Sequence, residues 1–547
     1  MTDFSGHDAN NTDTWWRGAV IYQIYPRSFC DANQDGIGDL QGIISKLDYI
    51  HSLNVDAIWI SPFFTSPMKD FGYDVSNYRE VDPIFGQLDD FKELLRQAHA
   101  RNIKVIIDQV LSHTSDQHPW FVESRQDKNN AKADWYVWQD PLGDGTPPTN
   151  WQSVFGGSSW QWDSRRQQYY LHNFLVSQPD LNFHNPEVQQ QMLEEMQFWL
   201  DLGVDGFRLD TVNYYFHDDQ LRNNPGLRQD RRKLFNPYDF QSHLYDKNRP
   251  QSIAYTQRMR HLLNQYQARM LMGEIGDKNA EKMMQDYTGG QNKLHTAYSF
   301  RLLNEEFGAQ YFADVIAQQE TLLTDGWPSW AFSNHDITRV LSRWGDRFEQ
   351  QDKLVKTLLA FLFCLRGSVC LYQGEELGLP EATLTFEQLQ DPWGITFWPE
   401  FKGRDGCRTP MPWDSNAPNA GFTDASPWLP VAQSHYPLAV QTQTQAPDST
   451  LNFTRQFLAF RKTQAALICG DIHQINADGE LLSFRRVDDT MVLQCLFWFS
   501  DQPRQITKTG NILSQSDTLV IENDQLTFKG PGYVIFQETP VQPADTQ

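Results

Sequence analysis

The sequence predicts an α/β fold: a (β/α)8 TIM barrel with a subdomain inserted after its third strand and a C-terminal antiparallel β domain. Three observations support this prediction. Eight short apolar, β-rich runs alternate with amphipathic segments, a long turn-rich stretch separates the third run from the fourth, and the strand pattern changes beyond about residue 460. A chain of 547 residues is long enough for a barrel and two smaller units.

The eight runs are spaced as barrel strands require. They begin at Val20, Asp56, Lys104, Val204, Met270, Ala297, Trp330 and Ser368. Segments between them, such as residues 88–101 and 188–202, repeat apolar side chains at intervals of three and four, as amphipathic helices do. Strand and helix alternating eight times predict a closed parallel barrel.

Two stretches interrupt or follow this alternation. Residues 111–182 are rich in Gly, Pro, Trp and turn residues, and they are too long for one crossover helix, so we expect an inserted subdomain there. Short alternating stretches separated by turns predict a β-sandwich over residues 461–547. The barrel then comprises residues 1–110 and 183–460.

Composition and charge exclude several classes of partner. Lys+Arg number 46 and Asp+Glu 69, a net charge of −23 that disfavours nucleic acid and anionic membranes. The segment MTDFSGHDANNTDTWW lacks the basic stretch followed by an apolar one that is typical of a secretory signal. The apolar residues 358–365 are far fewer than the about 20 that span a bilayer. The six cysteines form no CxxC pair, which fits a reducing compartment. We expect a cytoplasmic monomer or homodimer.

Titratable side chains fall at the carboxyl ends of four runs, the end at which barrel active sites are built. They are Asp108, Arg208, Asp210, Glu274, His335 and Asp336. Arg208 and Asp210 are two residues apart on a strand and therefore share a face, so the guanidinium would keep the carboxylate ionised; a surface ion pair is the alternative. Burial of Glu274 at the end of MLMGEI would raise its pKa above about 4.3, as a general acid requires.

Four segments, in this order, resemble the hallmark regions of the α-amylase superfamily, glycoside hydrolase family 13. They are DQVLSHTS from Asp108, GFRLDTVN around Asp210, GEIGD with Glu274, and FSNHD with Asp336. QPDLN, residues 178–182, is similar to a further region of the oligo-1,6-glucosidase and α-glucosidase branch. The resemblance covers nearly the whole chain.

The resemblance implies a retaining double displacement between carboxylates about 5–5.5 Å apart. Asp210 matches the nucleophile, Glu274 the acid and base, and Asp336 the third carboxylate, which binds ring hydroxyls. Residues that match the surroundings of the bound glucose are His113, Arg208 and His335. Phe155 and Phe174 of the inserted subdomain are candidates for the pocket wall, with packing in the subdomain core as the alternative for Phe155.

The resemblance also bears on specificity. Asp74 and Arg404 match an acid and an arginine that clasp the 4-hydroxyl of a non-reducing terminal glucose, which implies an exo-acting enzyme; Arg408 is the alternative to Arg404. In similar enzymes a small or hydroxylated residue directly after the nucleophile accompanies preference for α-1,4 bonds, so Thr211 favours maltose-like substrates. Simple packing beside the strand is the alternative role for Thr211.

The segment DANQDGIGDL is like the start of an EF-hand loop. Asp31, Asn33, Asp35 and Asp39 alternate around a glycine turn, and hard oxygen ligands at this spacing suit calcium, with magnesium as the second choice. The resemblance adds the carbonyl of Ile37 to the shell. An acidic turn without a metal is the alternative.

The sequence as a whole predicts an α-glucosidase that acts on a small oligosaccharide or glucoside. Within the enzyme class, the alternatives are an oligo-1,6-glucosidase and a glucosyl transferase or sucrose isomerase, which share the covalent intermediate. A different class is the non-catalytic heavy chain of an amino acid transporter. Such relatives carry a membrane helix and lack part of the set of three catalytic carboxylates. In this sequence Asp210, Glu274 and Asp336 are all present.

Overall fold

A closed barrel of eight parallel strands forms the centre of the protein. The computed structural model describes residues 14–227, 235–277, 279–522 and 525–538. The barrel strands are β1 (Val20–Ile24), β2 (Ala57–Ile60), β3 (Lys104–Gln109), β4 (Gly206–Leu209), β5 (Met270–Ile275), β6 (Thr296–Ser299), β7 (Pro328–Trp330) and β8 (Ser368–Tyr372). Each strand pairs with the next along the chain, and β8 pairs with β1. The predicted fold class is confirmed.

Helices cover the outside of this barrel. Pro186–Leu202 shows why such a segment folds: Asn185 caps its first turn by accepting the N–H of Glu187, a proline opens it, and Gly203 ends it at φ 107°. The α-helices are Leu40–Ser45, Leu47–Ser52, Leu88–Ala100, Pro119–Ser124, Pro186–Leu202, Pro250–Leu263, Ala280–Thr288, Ala309–Leu322, Val340–Trp344, Gln351–Cys364, Pro392–Phe397, Val440–Gln445, Thr450–Lys462 and Ala465–Ile468.

The contact between β4 and β5 sets the geometry of the site. Met272 lies opposite Arg208 in the register of these strands, so the next inward positions along them bring Glu274 level with Asp210. A side chain at Gly206 would bring its Cβ within 2.5 Å of the Met270 carbonyl oxygen. Glycine at this position therefore permits the close approach of the two strands.

The stretch between β3 and β4 contains a small antiparallel sheet. Its strands are Trp138–Gln139, Trp160–Asp163 and Gln168–Leu171, with Gln168–Leu171 in the middle. Single bridges from His113 to Asp180 and from Tyr136 to Leu181 connect both ends of the insertion. The sheet lies within the residues predicted to form the inserted subdomain.

The C-terminal region is a two-sheet β domain. A five-stranded sheet contains Asp471–Asp478, Leu481–Val487, Val492–Trp498, Gly532–Glu538 and Asn511–Gln515, and a three-stranded sheet contains Arg504–Ile506, Gln525–Phe528 and Leu519–Glu522. Apolar side chains of both sheets, including Trp498 and Phe528, form a common core. Phe484 and Phe497 pack on Phe361 of helix Gln351–Cys364, so the domain rests on the barrel.

Two predictions based on composition can be compared with the structure. All six cysteines are free thiols. Within the four described ranges, no helix has the length and apolar character needed to cross a bilayer. The amino-terminal segment MTDFSGHDANNTDTWW, which the sequence predicts is not a secretory signal, falls mostly on residues 1–13, which lie outside the described residues.

Candidate active site

A single buried arginine holds three carboxylates at the carboxyl end of the barrel. Arg208 Nη1 donates to Asp108 at 2.9 Å and to Asp210 at 2.6 Å, and Nη2 donates to Glu274 at 2.5 Å. The hydroxyl of Tyr298 from β6 also lies 2.9 Å from Nη2. The predicted pair of Arg208 and Asp210 is therefore present, and it is buried inside the protein instead of lying at its surface.

Burial sets the protonation of this cluster. It raises the pKa of Glu274 to about 8; the positive charge of Arg208 opposes this rise, and the negative charges of Asp210 and Asp336 add to it. Burial likewise raises the pKa of Asp108 to about 7. Glu274 is therefore largely protonated near neutral pH, as we predicted for a proton donor.

Thr211 turns the chain sharply after β4. Its φ of 40° and ψ of 49° are left-handed, a rare conformation for a β-branched residue. The turn lets the Thr211 N–H donate to Glu274 Oε2 at 3.3 Å and its Oγ1 donate to Asp210 Oδ2 at 3.2 Å. One residue thus contacts both predicted catalytic carboxylates, and backbone strain of this kind is common at functional sites.

His335 and Asp336 lie in the loop after β7. The strand ends at Trp330, whereas the predicted run continues to Asp336. The chain has therefore left the strand before it reaches His335 and Asp336. The two side chains can therefore converge, with His335 Nε2 3.2 Å from Asp336 Oδ2. Arg404 Nη1 and Arg408 Nη2 donate to Asp336 Oδ1 at 3.1 and 2.8 Å. Both arginines that the sequence offered as alternatives reach the same carboxylate.

These charges keep Asp336 ionised. Burial alone would raise its pKa, but the ring of His335 and the positive charges of Arg404 and Arg408 together outweigh burial and lower the pKa below the usual value for aspartate. Burial lowers the pKa of His335 to about 3, so its ring is neutral near pH 7. The arginines, and not an imidazolium, are therefore the cations beside Asp336.

Tyr73, which the sequence analysis missed, connects His335 to the carboxylate cluster. Its hydroxyl lies 3.1 Å from Asp108 Oδ2 and 2.6 Å from His335 Nε2, and its ring stacks on the imidazole. On the other side, Gln23 Nε2 lies 2.8 Å from His335 Nδ1. An amide nitrogen can only donate, so Nδ1 accepts and Nε2 carries the proton. The tyrosine hydroxyl is then free to donate to Asp108.

The acidic partner of Arg404 is Asp70, and the predicted partner Asp74 is wrong. Asp70 Oδ1 lies 2.8 Å from Arg404 Nη2. Asp74 is fully buried and accepts hydrogen bonds from Ser66 Oγ at 2.9 Å, Lys69 N at 2.8 Å and Asp70 N at 3.0 Å. Its carboxylate thus stabilises the turn that presents Asp70, and it does not face the site.

Two further missed residues hold this pair. Asp391 accepts three hydrogen bonds from Arg404, at 2.7 Å from the backbone N–H, 3.2 Å from Nε and 2.8 Å from Nη2. Gln178 Nε2 donates to Asp70 Oδ2 at 3.1 Å and lies 3.3 Å from His113 Nε2. Gln178 belongs to the QPDLN motif, so a sequence signal for it existed. Asp391 lies in a loop without a periodic pattern and gave none.

The inserted subdomain contributes aromatic rings to one side. Phe174 contacts the ring of His113 with centroids 5.2 Å apart, and Phe155 lies 6.3 Å from Phe174. The guanidinium of Arg404 lies over the ring of Phe155 at 5.2 Å. Phe155 is also 8% exposed and packs on Trp393. Phe155 therefore joins the subdomain to the loop after β8 through Trp393 and Arg404, and its role in the pocket wall stays a prediction.

The loop of residues 31–39 offers oxygen ligands, but its side chains are engaged by the loop itself. Asp31 accepts the N–H groups of Gln34 and Gly36, and Asp39 accepts those of Ala32, Asn33 and Gly42. The side chains of Asn33 and Asp35 accept the N–H groups of Asp35 and Ile37. The carboxylate, amide and carbonyl oxygens fit calcium chemically, because each retains a lone pair.

Within the part of the chain that the structure describes, no group of three or more His, Cys, Asp and Glu residues is arranged to hold a metal ion. Calcium at Asp31, Asn33, Asp35, Ile37 and Asp39 therefore stays a prediction.

Comparison with known proteins places this geometry in a family. The family model for the α-amylase catalytic domain matches residues 23–470. A probable α-glucosidase of Rhizobium meliloti (strain 1021) is 56% identical over 89% of this chain and 90% of its own length. The oligo-1,6-glucosidase of Parageobacillus thermoglucosidasius is 35% identical over 93% of this chain and 94% of its own length.

Solved structures agree with these sequence relatives. The α-glucosyl transfer enzyme XgtA is 52% identical, with a TM-score of 0.92 over 96% of this chain and 99% of its own. The trehalulose synthase MutB of Pseudomonas mesoacidophila MX-45 is 31% identical, with a TM-score of 0.87 over 96% of this chain and 99% of its own. The matched catalytic domain and the two relatives at 56% and 35% identity show that the chain belongs to the α-amylase family, glycoside hydrolase family 13, in the branch of the α-glucosidases and oligo-1,6-glucosidases.

Proposed function

We propose that this protein is a retaining, exo-acting α-glucosidase that releases α-glucose from the non-reducing end of short, maltose-like α-1,4-glucosides. The observation that supports this most strongly is the pairing of Asp210 and Glu274 on the single guanidinium of Arg208. A carboxylate held beside a cation and a carboxyl group that is protonated near neutral pH are the two groups that retaining glycosidases need.

In the first step, Asp210 attacks the anomeric carbon and the bond from that carbon to the glycosidic oxygen breaks. Glu274 gives its proton to the departing oxygen, which leaves as a hydroxyl group. Its pKa of about 8 keeps this proton available at neutral pH. The products of the step are a β-glucosyl ester on Asp210 and a Glu274 carboxylate.

In the second step, Glu274 takes a proton from water while the water oxygen attacks the anomeric carbon. The ester bond to Asp210 breaks, α-glucose leaves, and both side chains return to their starting states. Arg208 contacts both carboxylates and can stabilise the charge as it moves between them. Asp336, held ionised by Arg404 and Arg408, is suited to binding ring hydroxyls and favouring the positively charged transition state.

The exo action is assigned to the network around Arg404. Asp70, Asp336 and Asp391 all contact this guanidinium, at 2.8, 3.1 and 2.8 Å, and it is only 7% exposed. A fixed acid and a fixed arginine suit the 4-hydroxyl of a terminal glucose, and a terminal sugar bound in this way would exclude a chain that continues beyond it. Asp70 replaces Asp74 in this assignment.

Glucosyl transfer is the second candidate function. The 52% identity to an α-glucosyl transfer enzyme favours it, because transfer and hydrolysis share the glucosyl-enzyme and differ in the acceptor.

The linkage assignment depends on Thr211, whose Oγ1 also lies 3.3 Å from Ser112 Oγ beside the two carboxylates. Several relatives cleave α-1,6 bonds by name, so α-1,6 specificity is the alternative linkage.

The test is a side-by-side assay of the purified protein on maltose, isomaltose and sucrose, with glucose release and transfer products measured in the same reactions. The Asp210→Ala variant serves as the inactive control. Faster glucose release from maltose than from isomaltose is the expected result. The reverse order would overturn the linkage assignment, longer or isomeric sugars in place of glucose would establish the transfer function, and normal turnover by Asp210→Ala would refute the mechanism.

A further inference from the structure

A cavity lies at the opposite end of the barrel from the active site. Its volume is about 240 Å³, and it is bordered by residues that precede barrel strands: Trp16 before β1, His295 before β6 and Trp327 before β7. Its polar lining includes two arginines, Arg17 and Arg260, and one acid, Asp325. This end of a barrel carries no catalytic role in the mechanism above. The cavity therefore calls for a separate explanation.

Arg17 brings an unneutralised positive charge to this cavity. Within the described part of the chain, its guanidinium has no hydrogen bond or ion pair, and its Nε is buried without a partner. It lies 5.2 Å from the ring centroids of both Trp16 and Trp327, which fix its position. The indole N–H of Trp16 is likewise buried without a partner. Both groups can only donate hydrogen bonds.

His295 supplies a third donor. The backbone N–H of Leu271 donates to its Nδ1 at 3.0 Å, so the neutral ring carries its proton on Nε2. No described residue accepts a hydrogen bond from that Nε2. Burial lowers the pKa of His295 well below its usual value, and the nearby charges of Arg260 and Arg17 lower it further, so the ring stays a neutral donor.

The acidic residue in the lining keeps its negative charge, but each of its oxygens already accepts a hydrogen bond from a neutral donor. Asp325 borders the cavity, but its two oxygens accept from Gln285 Nε2 at 2.7 Å and from the Gly290 N–H at 2.9 Å. Arg366, whose positive charge repels that of Arg17, pairs with Glu320 at 3.3 Å. In a chain of net charge −23, a cavity lined by two arginines, one aspartate and unpaired donors carries a local excess of positive charge.

We propose that this cavity binds a small oxyanion of the phosphate type, either inorganic phosphate or the phosphate group of a small organic ester. Arg17 would hold it by charge-assisted hydrogen bonds, and His295 Nε2 and Trp16 Nε1 would complete its shell. The volume is several times that of a water molecule, about 30 Å³, and so leaves room for the anion. The bound anion ties the segment before β1 to the start of β6, so it stabilises the barrel.

The experiment compares thermal unfolding of the full-length protein in sodium phosphate and in sodium chloride at equal ionic strength and pH. Arg17→Gln removes the charge at similar size. Arg165→Gln, at an exposed arginine of the inserted subdomain, is the matched control. We expect a saturable rise in Tm of about 1–2 °C with phosphate for the wild type and Arg165→Gln, and no saturable rise for Arg17→Gln. The same experiment with glycerol 3-phosphate distinguishes the two ligands. A larger rise in Tm than with phosphate indicates an organic ester, and a smaller rise indicates the free ion.

The comparison with Arg17→Gln separates specific binding from the general stabilising effect of phosphate on proteins, which both variants share. Equal responses of Arg17→Gln and the wild type would overturn the proposal. A second measurement needs no variant: crystals soaked in selenate should show an anomalous peak between Arg17 and His295. A cavity without that peak would equally refute the site.

Discussion

At the scale of single residues, the site separates the protonation states of carboxyl groups that lie close together. Burial raises the pKa of Glu274 to about 8, whereas the arginines around Asp336 lower the pKa of that side chain. One group is thus ready to donate a proton at neutral pH while another stays negative. Arg208 makes this arrangement stable, because a buried carboxylate without a cation would be costly.

The pH dependence of the reaction follows from this separation. The first step needs protonated Glu274, so kcat/KM should fall as the pH rises through about 8, and it should hold on the acidic side of that value until other groups titrate. Glu274→Gln keeps the size but cannot donate a proton to the leaving oxygen. We expect kcat for maltose to fall by a factor of about 10²–10⁴ and the alkaline limb of the pH profile to disappear.

The matched control is Glu194→Gln, at an exposed glutamate of helix Pro186–Leu202, which should keep the wild-type profile. Circular dichroism of both variants checks that they fold. An alkaline limb near pH 8 that survives in Glu274→Gln would assign that titration to another group and remove Glu274 from the role of acid.

At the scale of elements, the barrel strands were predictable and the loops between them were not. Every strand of the barrel overlaps or adjoins a predicted run, because a buried parallel strand is a continuous apolar stretch with its polar residues at the carboxyl end. Pairing along those strands then brings Arg208, Asp210 and Glu274 together. The position of β7 differs from the prediction by a few residues. The predicted run begins at Trp330, whereas the observed strand Pro328–Trp330 ends there.

The loops hold the residues that sequence reasoning missed. Asp70 and Asp74 stand four positions apart in one loop, and nothing in their order tells which one faces the site. The orientation of the two acids depends on a turn with positive φ at Phe71 and Gly72. This turn directs the Asp74 carboxylate to the backbone amides of Lys69 and Asp70. Asp391 reaches Arg404 through a loop contact that has no periodicity. Contacts of this kind depend on tertiary structure and leave no local pattern.

This loop allows a direct comparison of two acids. Asp70→Asn removes the charge facing Arg404, so we expect kcat/KM for maltose to fall about 10- to 100-fold with little change in Tm. Asp74→Asn replaces one acceptor oxygen by a donor beside amide N–H groups, so it should cost about 1–3 kcal/mol of unfolding free energy. Kinetics on maltose and urea unfolding of both variants give the two readouts. A larger kinetic loss in Asp74→Asn at unchanged stability would restore Asp74 as the substrate residue.

At the scale of the whole molecule, the loop of residues 31–39 joins distant parts of the chain. The Asp31 N–H donates to the Phe422 carbonyl at 3.2 Å, and the Trp428 N–H donates to the Gly36 carbonyl at 3.0 Å. Gln34 Oε1 accepts the Asp424 N–H at 2.6 Å. These contacts join the chain after the first barrel strand to the chain after the last one. A ligand that orders residues 31–39 therefore also stabilises the whole barrel against unfolding.

The predicted calcium ion should therefore act on global stability. An ion that binds the folded chain at about 100 times its Kd adds about 2.7 kcal/mol to the free energy of unfolding. We expect EDTA to lower the Tm by a few degrees, calcium to restore it fully, and magnesium to restore it in part, because the smaller ion prefers a tighter octahedral shell. Asp35→Asn removes an exposed carboxylate that is hydrogen-bonded to Asn33 and Ile37 within the loop, so the Tm of this variant should no longer respond to EDTA. Asp48→Asn, at a neighbouring surface aspartate, should respond like the wild type. A wild-type Tm that is the same with and without EDTA would mean that the acidic turn is held by its own hydrogen bonds and needs no metal.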